Sequence, residues 1–373
     1  MHILYVITRS EMGGSQTHVL DLLRGFRQEH ELTLVTGERG FLTEEASKLG
    51  VRIEVLPNLV QPLRPLRDLK ALVQIAQLIN RIKPGLVHCH TSKAGILGRA
   101  ASRITKIPVV FTAHTWSFAD GTSKSWKLIG TPSERIAAKW TSKILAVSDS
   151  NRNLAIERRV APPDKIVTVH NGIDDTPHRA CRDACAVPRI VMVARFAPQK
   201  NQSQLIEAMS GIDIPFKLTF VGDGPTRAAA ESLVAEYGLR DRVEFLGIRK
   251  DTDHILAASH IFVLATNWEG FPITILEAMR AGLPVIATDV DGVREAVAHD
   301  VTGLLAPKGD IAALRRLVRE LLLDADRRCQ LGNAGRARYE MEFTHASMLT
   351  KISSVYREII PDVSHSEAAL QSA

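Results

Sequence analysis

The chain of 373 residues has few cysteines and no long hydrophobic run. Four cysteines do not make a disulfide framework at this length, and the C-x3-C pair Cys181 and Cys185 lacks companion ligands, so no metal or redox site is expected there. No apolar run approaches the ~20 residues that span a bilayer. The start, MHILYVITRSEMGG, lacks a basic segment and soon turns polar, which predicts a β-strand and not a signal peptide. A globular protein of the reducing cytoplasm fits these absences.

Charge is divided unevenly along the chain. Residues 1–175 hold 24 Lys and Arg against 16 Asp and Glu, a net charge of +8, and residues 176–373 carry −2 of the total of +6. A basic half favours an anionic partner. Because the basic residues are scattered, without interleaved aromatics or a DNA-reading motif, no nucleic-acid partner is expected. An anionic membrane surface and a solvated basic face without a partner both stay open.

Short apolar segments alternate with helical patterns along the whole chain, and near-continuous Val, Ile and Leu runs are typical of parallel sheets covered on both faces. Strands are predicted at residues 3–8, 31–36, 51–56, 86–90, 108–114, 143–148, 165–170, 189–196, 216–222, 242–247, 260–266, 284–288 and 303–307. This rhythm predicts an α/β protein with two doubly wound, Rossmann-like parallel sheets.

The predicted domains are separated by an aperiodic segment that contains two prolines. We predict a first domain at 1–173, a linker at 174–188, a second domain at 189–344, a helix at 345–360 that returns to the first domain, and a tail at 361–373. Ligands of such sheets bind beyond the carboxyl ends of the strands, so two facing domains would form one cleft.

Three groups of residues follow predicted strands. Gly13 and Gly14 stand where a strand gives way to a helix, where glycines and the helix N-terminus favour an anion, although a plain tight turn fits as well. The dinucleotide fingerprint G-x-G-x-x-G is absent from this place. Arg195 and Lys200 flank the loop after the strand at 189–196 and suit a diphosphate, with two ordinary surface cations as the alternative.

The third group is the segment NWEGFPITILEAM, residues 267–279, with Glu269 before a turn and Glu277 in the predicted helix. Two carboxylates that accept hydrogen bonds from hydroxyls, beside two cations for phosphate, indicate a nucleotide-sugar site. Taken alone, the glutamates would be solvated surface residues.

With these residues in place, the chain resembles the retaining glycosyltransferases of family 4, which have the GT-B fold. The arrangement E-x7-E of Glu269 and Glu277, with Arg195 and Lys200, carries the resemblance. It extends over GGSQTHVLDLLRGF, HCHTSKAGILGRAA, VVFTAH, LAVSDS, VHNGID, VARFAPQKN, VGDGP, EGFPITILEAMRAGLPVIAT and VREAV.

The resemblance implies a role for individual residues. Glu277 would hold the ribose of the donor, Arg195 and Lys200 the diphosphate, and Glu269 the donor sugar. The implied donor-binding set is Gly13, Gly14, Gly222, Gly224, Ile248, Gly270, Phe271, Pro272, Ile273 and Glu277. His114, at a strand end, would touch the sugar near the reacting centre, and a buried core histidine is the alternative.

The acceptor side departs from the family pattern, because His114 is followed by Thr115 where many relatives have glycine. Lys93 and Arg99, in HTSKAG and GR, resemble a subgroup that builds bacterial capsule, exopolysaccharide or O-antigen chains. They are candidate acceptor contacts, with Asp120 as a third, although Lys93 also fits a surface lysine at a helix start.

The implied reaction moves a sugar from a nucleoside diphosphate, with UDP favoured over GDP, to a glycan or a polyprenyl-diphosphate-linked acceptor on the inner membrane face. No Asp-x-Asp motif stands in a suitable place, so neither a metal nor another cofactor is expected. A GT-B sugar-nucleotide epimerase and a non-catalytic nucleotide-sugar binder are the alternatives, and a phosphorylase would need a longer chain.

Overall fold

A computed structural model describes residues 1–122, 124–180 and 187–360. The C-x3-C pair, part of the predicted linker and the predicted tail lie outside these residues. The chain divides into two compact units. Among the described residues, unit 1 comprises residues 1–171 together with 345–360, and unit 2 comprises Gly172–Thr344.

Unit 1 is built on a seven-stranded parallel sheet with the strand order β3-β2-β1-β4-β5-β6-β7. Its elements are β1 (His2–Val6), α1 (Gly14–Phe26), β2 (Glu31–Thr36), α2 (Phe41–Lys48), β3 (Arg52–Val55), α3 (Pro65–Ile82), β4 (Leu86–His90), α4 (Ser92–Thr105), β5 (Val109–Ala113), α5 (Lys124–Lys139), β6 (Lys143–Ala146), α6 (Asp149–Glu157) and β7 (Ile166–Thr168).

Unit 2 is built on a six-stranded parallel sheet with the order β10-β9-β8-β11-β12-β13. Its elements are β8 (Arg189–Val193), α7 (Gln202–Ser210), β9 (Lys217–Val221), α8 (Arg227–Glu236), β10 (Val243–Phe245), α9 (Thr252–Ala257), β11 (Ile261–Leu264), α10 (Ile273–Ala281), β12 (Val285–Asp289), α11 (Asp291–Ala296), β13 (Gly303–Pro307), α12 (Ile311–Leu323) and α13 (Ala325–Glu342).

Successive residues along the strands of unit 1 belong alternately to two core layers, one on each face of the sheet. Leu4 and Val6 of β1 belong to one layer, and Ile3 and Tyr5 belong to the other. Since successive strand residues point to opposite faces, a strand covered on both sides must be apolar at nearly every position. The predicted doubly wound α/β architecture is confirmed, and each predicted strand is present within a few residues of its expected ends.

The last helix, α14 (His345–Ile359), packs against α1 within unit 1. His345 Nε2 donates a hydrogen bond to the carbonyl of Asp21 (2.8 Å). The hydroxyl of Tyr356 lies 3.3 Å from that of Tyr5 and 2.6 Å from Nδ1 of His88. These buried polar contacts tie the end of the described chain to the centre of the first sheet.

Among the helices of the described residues, none is both long and apolar enough to cross a bilayer.

Candidate active site

The carboxyl end of β8, at the middle of the second sheet, bears the two predicted phosphate ligands. Arg195 follows the strand with an exposed side chain, while its carbonyl accepts a hydrogen bond from Gln202 Nε2 (3.0 Å). Lys200 closes a short 3-10 helix, Pro198–Lys200, that leads into α7. The backbone at Arg195 is therefore fixed, and its guanidinium remains open to a ligand.

Lys200 and Glu269 form an ion pair between the ends of the neighbouring strands β8 and β11, in which Lys200 Nζ donates to Glu269 Oε1. The Glu269 side chain is 6% exposed and that of Lys200 is 18% exposed. Thr266 donates a further hydrogen bond to the same carboxylate oxygen (2.8 Å). The structure thus joins two residues that the sequence places 69 positions apart.

A hydrogen-bond network that the sequence did not predict holds these two loops together. Gln199 donates its side-chain amide to the carbonyl of Trp268 (2.7 Å), and its own carbonyl accepts from the Asn267 amide (2.8 Å). Asn267 Nδ2 donates to the carbonyl of Pro198 (2.8 Å). Because each loop supplies donors and acceptors to the other, these hydrogen bonds hold together the two loops that carry the ion pair. The contact between Gln199 and Asn267 depends on the order of the strands in the sheet, so no local sequence pattern predicts it.

The VGDGP loop after β9 lies directly on the end of β8. Gly222 has φ +135°, and a Cβ there would stand 2.1 Å from the carbonyl oxygen of Ala194, so this approach requires glycine. Gly224 has φ +152° and meets the carbonyl of Phe196 in the same way. Gly222 also donates its N–H to the carbonyl of Gly247 (2.8 Å), next to the exposed Ile248. The structure therefore brings the predicted glycines beside the strand end that carries Arg195.

The turn before α10 is buried. The Phe271 ring packs on Phe343, with centroids 5.4 Å apart, so any donor contact of Phe271 would be made by its backbone. Gly292 lies against this turn, where a Cβ would stand 1.8 Å from the carbonyl oxygen of Gly270. Pro272 precedes the first residue of α10, Ile273.

Glu277 lies one turn into α10 and is half-buried. This is the position that the sequence predicted for the second carboxylate. Helix α10 begins after β11, whose carboxyl end also carries Glu269. The contact of Glu277 with the ribose stays a prediction.

In unit 1, Gly13 and Gly14 mark the start of α1. Gly13 is the residue before the helix, in an extended conformation, and its carbonyl accepts the first helical hydrogen bond from Thr17 (2.9 Å). The carboxamide of Gln16 lies over Gly13, since a Cβ there would meet Gln16 Oε1 at 2.9 Å. The predicted strand-to-helix turn is present, and its contact with a donor stays a prediction.

His114 follows β5 and belongs to a cluster of histidines that we call the histidine cluster: His18, His88, His90 and His114. His114 Nε2 is hydrogen-bonded to His90 Nδ1 (3.3 Å), and its ring meets the edge of His18 at a centroid distance of 4.9 Å. A ligand contact of His114 would therefore be made by Nδ1. Asn151 Nδ2 donates to the carbonyl of His114 (3.1 Å) and fixes the backbone there.

Burial keeps the histidine cluster neutral. Desolvation holds the pKa of His88, His90 and His114 well below 6.5, with a smaller contribution from the neighbouring histidines. Burial likewise lowers the pKa of His18 to about 4. His88 is held at both nitrogens, by Tyr356 (2.6 Å) and by Thr112 (2.7 Å). His114 can therefore offer a ligand a neutral imidazole at neutral pH.

One group in the described part of unit 1 has nitrogen atoms close enough to share a metal ion. Ring nitrogens of His18, His90 and His114 lie within 4.8 Å of one another. In a tetrahedral zinc site the nitrogens would converge on one centre at about 2.0–2.1 Å. The direct hydrogen bond between His90 and His114 instead joins one nitrogen of each ring, and among the described residues His90 Nε2 has no hydrogen-bond partner.

Two of the three predicted acceptor residues are buried in unit 1. Arg99 is fully buried, pairs with the fully buried Glu134 (2.6 Å) and lies 4.1 Å from the Phe111 ring centroid. A guanidinium without exposed surface cannot contact an acceptor, so the prediction for Arg99 is wrong and its role is structural. Lys93 is 8% exposed and pairs with Asp68 (2.6 Å), so it is neither a surface lysine nor free to bind a diphosphate.

Asp120, the third predicted acceptor residue, is exposed and lies 3.6 Å from Lys127 Nζ. Its side chain is accessible to an acceptor, and its role stays a prediction.

Unit 2 combines, at adjacent strand ends, an exposed guanidinium, an ammonium paired with a carboxylate, a second carboxylate on a helix and a loop whose two glycines lie against the end of β8. Cations suit a diphosphate, and carboxylates suit sugar hydroxyls. Within unit 1, the neutral imidazole of His114 lies at the end of β5.

Solved structures of similar fold cover almost the whole chain. The Anabaena protein HepE, crystallised in complex with UDP and glucose, matches with a TM-score of 0.84 and 21% identity over 96% of this chain and 100% of that chain. Sucrose-phosphate synthase from Thermosynechococcus elongatus matches with a TM-score of 0.81 and 21% identity over 96% and 98%. The two parallel-sheet units therefore have the GT-B fold of glycosyltransferases, as predicted.

Family models and relatives assign the chain more closely. The model described as Glycosyltransferase Family 4 matches residues 12–176, and that of Glycosyl transferases group 1 matches 186–338. UDP-Gal:alpha-D-GlcNAc-diphosphoundecaprenol alpha-1,3-galactosyltransferase of Escherichia coli is 32% identical over 76% of this chain and 78% of its own length. The capsular polysaccharide glycosyltransferase CapM of Staphylococcus aureus is 26% identical over 79% and 82%. The chain belongs to glycosyltransferase family 4, and it is an enzyme that transfers a sugar.

Proposed function

We propose that this enzyme transfers a hexosyl group from a UDP-sugar to a saccharide carried on polyprenyl diphosphate, with retention of configuration and without a metal ion. The observation that supports it best is the Lys200–Glu269 ion pair beside the exposed Arg195, at the ends of β8 and β11. The E. coli relative, whose name gives UDP-galactose as donor and a diphosphoundecaprenol-linked sugar as acceptor, supports the substrate class.

In this proposal the cations act on the leaving group. As the bond between the sugar and the diphosphate breaks, negative charge grows on the diphosphate while the ring becomes oxocarbenium-like. Lys200, held by Glu269, and Arg195, whose backbone is held by Gln202, stabilise that charge most when it is largest. Removing one such contact typically costs ~3 kcal/mol, or about 100-fold in rate. Two cations at this place would take over the charge stabilisation that a metal ion could otherwise supply.

The carboxylates and the histidine orient the donor. Glu277 accepts hydrogen bonds from the ribose, and Glu269, already held by Thr266, accepts from the sugar hydroxyls. His114 contributes a neutral imidazole near the reacting carbon, since burial disfavours its charged form. A neutral ring adds no positive charge beside the developing oxocarbenium.

The enzyme would work on the inner face of the cytoplasmic membrane, where a polyprenyl-linked acceptor is held. The net charge of +8 over residues 1–175 supports attraction to anionic lipid.

A transfer assay with the purified chain tests the proposal. UDP-galactose and UDP-glucose are each supplied with synthetic N-acetylglucosaminyl diphosphopolyprenol, and the product is identified by mass and by the anomeric NMR coupling. Arg195→Ala and Glu277→Ala are expected to abolish transfer, whereas Arg319→Ala, an exposed control in unit 2, is expected to retain it. Chelator treatment is expected to leave the rate unchanged.

Two results would contradict the proposal. Near-normal transfer by Arg195→Ala or Glu277→Ala would remove the assigned roles. Conversion of the donor to an epimer without any acceptor would indicate the epimerase alternative.

A further inference from the structure

Helix α3 of unit 1 carries apolar side chains on the side that faces away from the core. Leu66, Leu69 and Val73 are 80%, 60% and 47% exposed. Their spacing of three and four residues places them on one stripe of the helix. Leucine at such exposure is costly in water, and a contiguous stripe of this kind marks an interaction surface.

The opposite side of α3 packs the helix against the core of unit 1. Ala71, Ile75 and Leu78 are buried in a core layer of unit 1. An amphipathic helix of a globular protein needs only this one apolar stripe, with polar residues opposite. The stripe of Leu66 and Leu69 is therefore not explained by the packing of unit 1.

The segment that leads into α3 continues the exposed apolar surface. Residues 61–67 are all exposed, and among them Leu63 is 50% exposed. Leucine side chains thus protrude from both the loop and the first two turns of the helix.

Cations alternate with these leucines. Arg64, Arg67 and Lys70 are all exposed. The acid of this segment, Asp68, is turned inward, where it pairs with Lys93 (2.6 Å) and accepts from the Arg64 N–H (3.0 Å). Because its acid is neutralised inside unit 1, the segment presents only positive charge to its surroundings.

We propose that residues 63–73, here called the α3 docking surface, bind the surface of an anionic lipid bilayer. Apolar side chains that enter the interface, flanked by Lys and Arg that meet anionic headgroups, are the features of a helix that lies on a membrane. The core of a protein–protein interface is instead depleted of charge. The combination of exposed leucines with charge of only one sign therefore favours a lipid surface over a second protein as the partner.

This proposal extends the membrane part of the proposed function, because a bilayer at α3 would bring unit 1 to a lipid-linked acceptor. It does not depend on which sugar is transferred. The proposal also gives Lys93 a structural role, because its ion pair with Asp68 holds the first turns of α3 in place.

A vesicle-binding assay with the full chain tests the docking surface. The protein is floated with phosphatidylcholine vesicles with or without phosphatidylglycerol, at low and high salt. We expect binding that requires phosphatidylglycerol and weakens with salt, because headgroup attraction is screened.

Two double variants separate the apolar and charged contributions. Leu66→Ser with Leu69→Ser is expected to weaken binding at least about tenfold, since inserted leucines lose their apolar burial. Arg67→Gln with Lys70→Gln is expected to weaken it about 25-fold, at about fivefold per cation.

Each variant has a matched control in unit 2. Leu323→Ser removes a leucine as exposed as Leu69, and Lys308→Gln with Arg316→Gln removes the same charge from exposed positions. Both controls are expected to bind vesicles like the original chain. Binding of UDP, measured by calorimetry, is expected to be equal in all variants, so that loss of docking and loss of the donor site are told apart.

Three outcomes would overturn the α3 docking surface: no preference for anionic vesicles, equal loss of binding in the controls, or normal binding by both double variants. A fourth would be a chain dimer, detected by light scattering, that the leucine changes dissociate without any vesicle binding. If UDP binds while vesicles do not, the docking surface fails and the donor site stands.

Discussion

Glu269→Gln is expected to raise the affinity for UDP while lowering the rate of sugar transfer. The Glu269 carboxylate accepts a hydrogen bond from Lys200 Nζ. A diphosphate that needs this ammonium must share it with the carboxylate. Glutamine keeps the shape and the hydrogen bond to Thr266 but removes the competing charge, so Lys200 becomes a better phosphate ligand.

The size of the effect follows from the burial of the pair. Two unit charges ~4 Å apart attract by about 4 kcal/mol at an effective dielectric constant of 20. Lys200 keeps 18% of its side-chain surface in water, which hydrates the ammonium once its partner is neutral. We take roughly a quarter of this Coulomb energy as the change in the free energy of UDP binding. The result is about 1 kcal/mol, or about a fivefold gain in affinity.

Calorimetric titration with UDP and a transfer assay measure the two effects separately. Lys200→Met is expected to weaken UDP binding, and the double variant with Glu269→Gln should bind no better than Lys200→Met, since the gain acts through Lys200. Transfer by Glu269→Gln should fall by about 100-fold, because a contact to the donor sugar is lost. Glu320→Gln, on the exposed side of α12, serves as the control.

Weaker or unchanged UDP binding by Glu269→Gln would refute the competition between carboxylate and diphosphate. Unchanged binding by Lys200→Met would remove Lys200 from the phosphate site altogether. Thermal unfolding of each variant shows whether the fold is kept.

Three further perturbations probe the two units. Gly222→Ala places a Cβ 2.1 Å from the Ala194 carbonyl and should cost about 1–3 kcal/mol of stability in unit 2, with weaker UDP binding; full stability would contradict the strained geometry. Arg99→Ala leaves a buried carboxylate unpaired and should cost unit 1 about 3–5 kcal/mol in denaturant unfolding, against little for the exposed Arg103→Ala. The pKa of His18, lowered from 6.5 to about 4, means that the unfolded chain takes up a proton first as the pH falls, so stability is full above 6.5 and drops by about 2 kcal/mol between pH 6.5 and 5. The unfolding free energy of His18→Asn should fall less steeply over this range, and identical slopes would count against a buried neutral ring.

The sheets were predictable because the strands are nearly continuous apolar runs that a period-two pattern and Gly or Pro boundaries define locally. The strand β4, LVHCH, shows both what such patterns give and what they omit. Alternation places His88 and His90 on one face, and β5 pairs with β4 in parallel, so His114 could be expected nearby. His18 comes from α1, whose packing no local pattern specifies.

The error at Arg99 has the same origin. Its partner Glu134 lies 35 residues away on another helix, and only the tertiary structure makes the two side chains neutralise each other. The contact between Lys200 and Glu269 follows from the order of β8 and β11, which no local pattern around either residue specifies. The roles predicted for Arg195 and Glu277 stay predictions until the variants are measured.

The return of α14 to the first sheet has a consequence for synthesis on the ribosome. Tyr356 completes the polar cluster around His88, yet 268 residues separate the two along the chain. Unit 2 is fully synthesised before this tyrosine is made, so it can fold while unit 1 still exposes the groove that α14 will fill. A nonsense codon shortly after Thr344 would therefore damage the part of the molecule translated first and spare the part translated just before the stop.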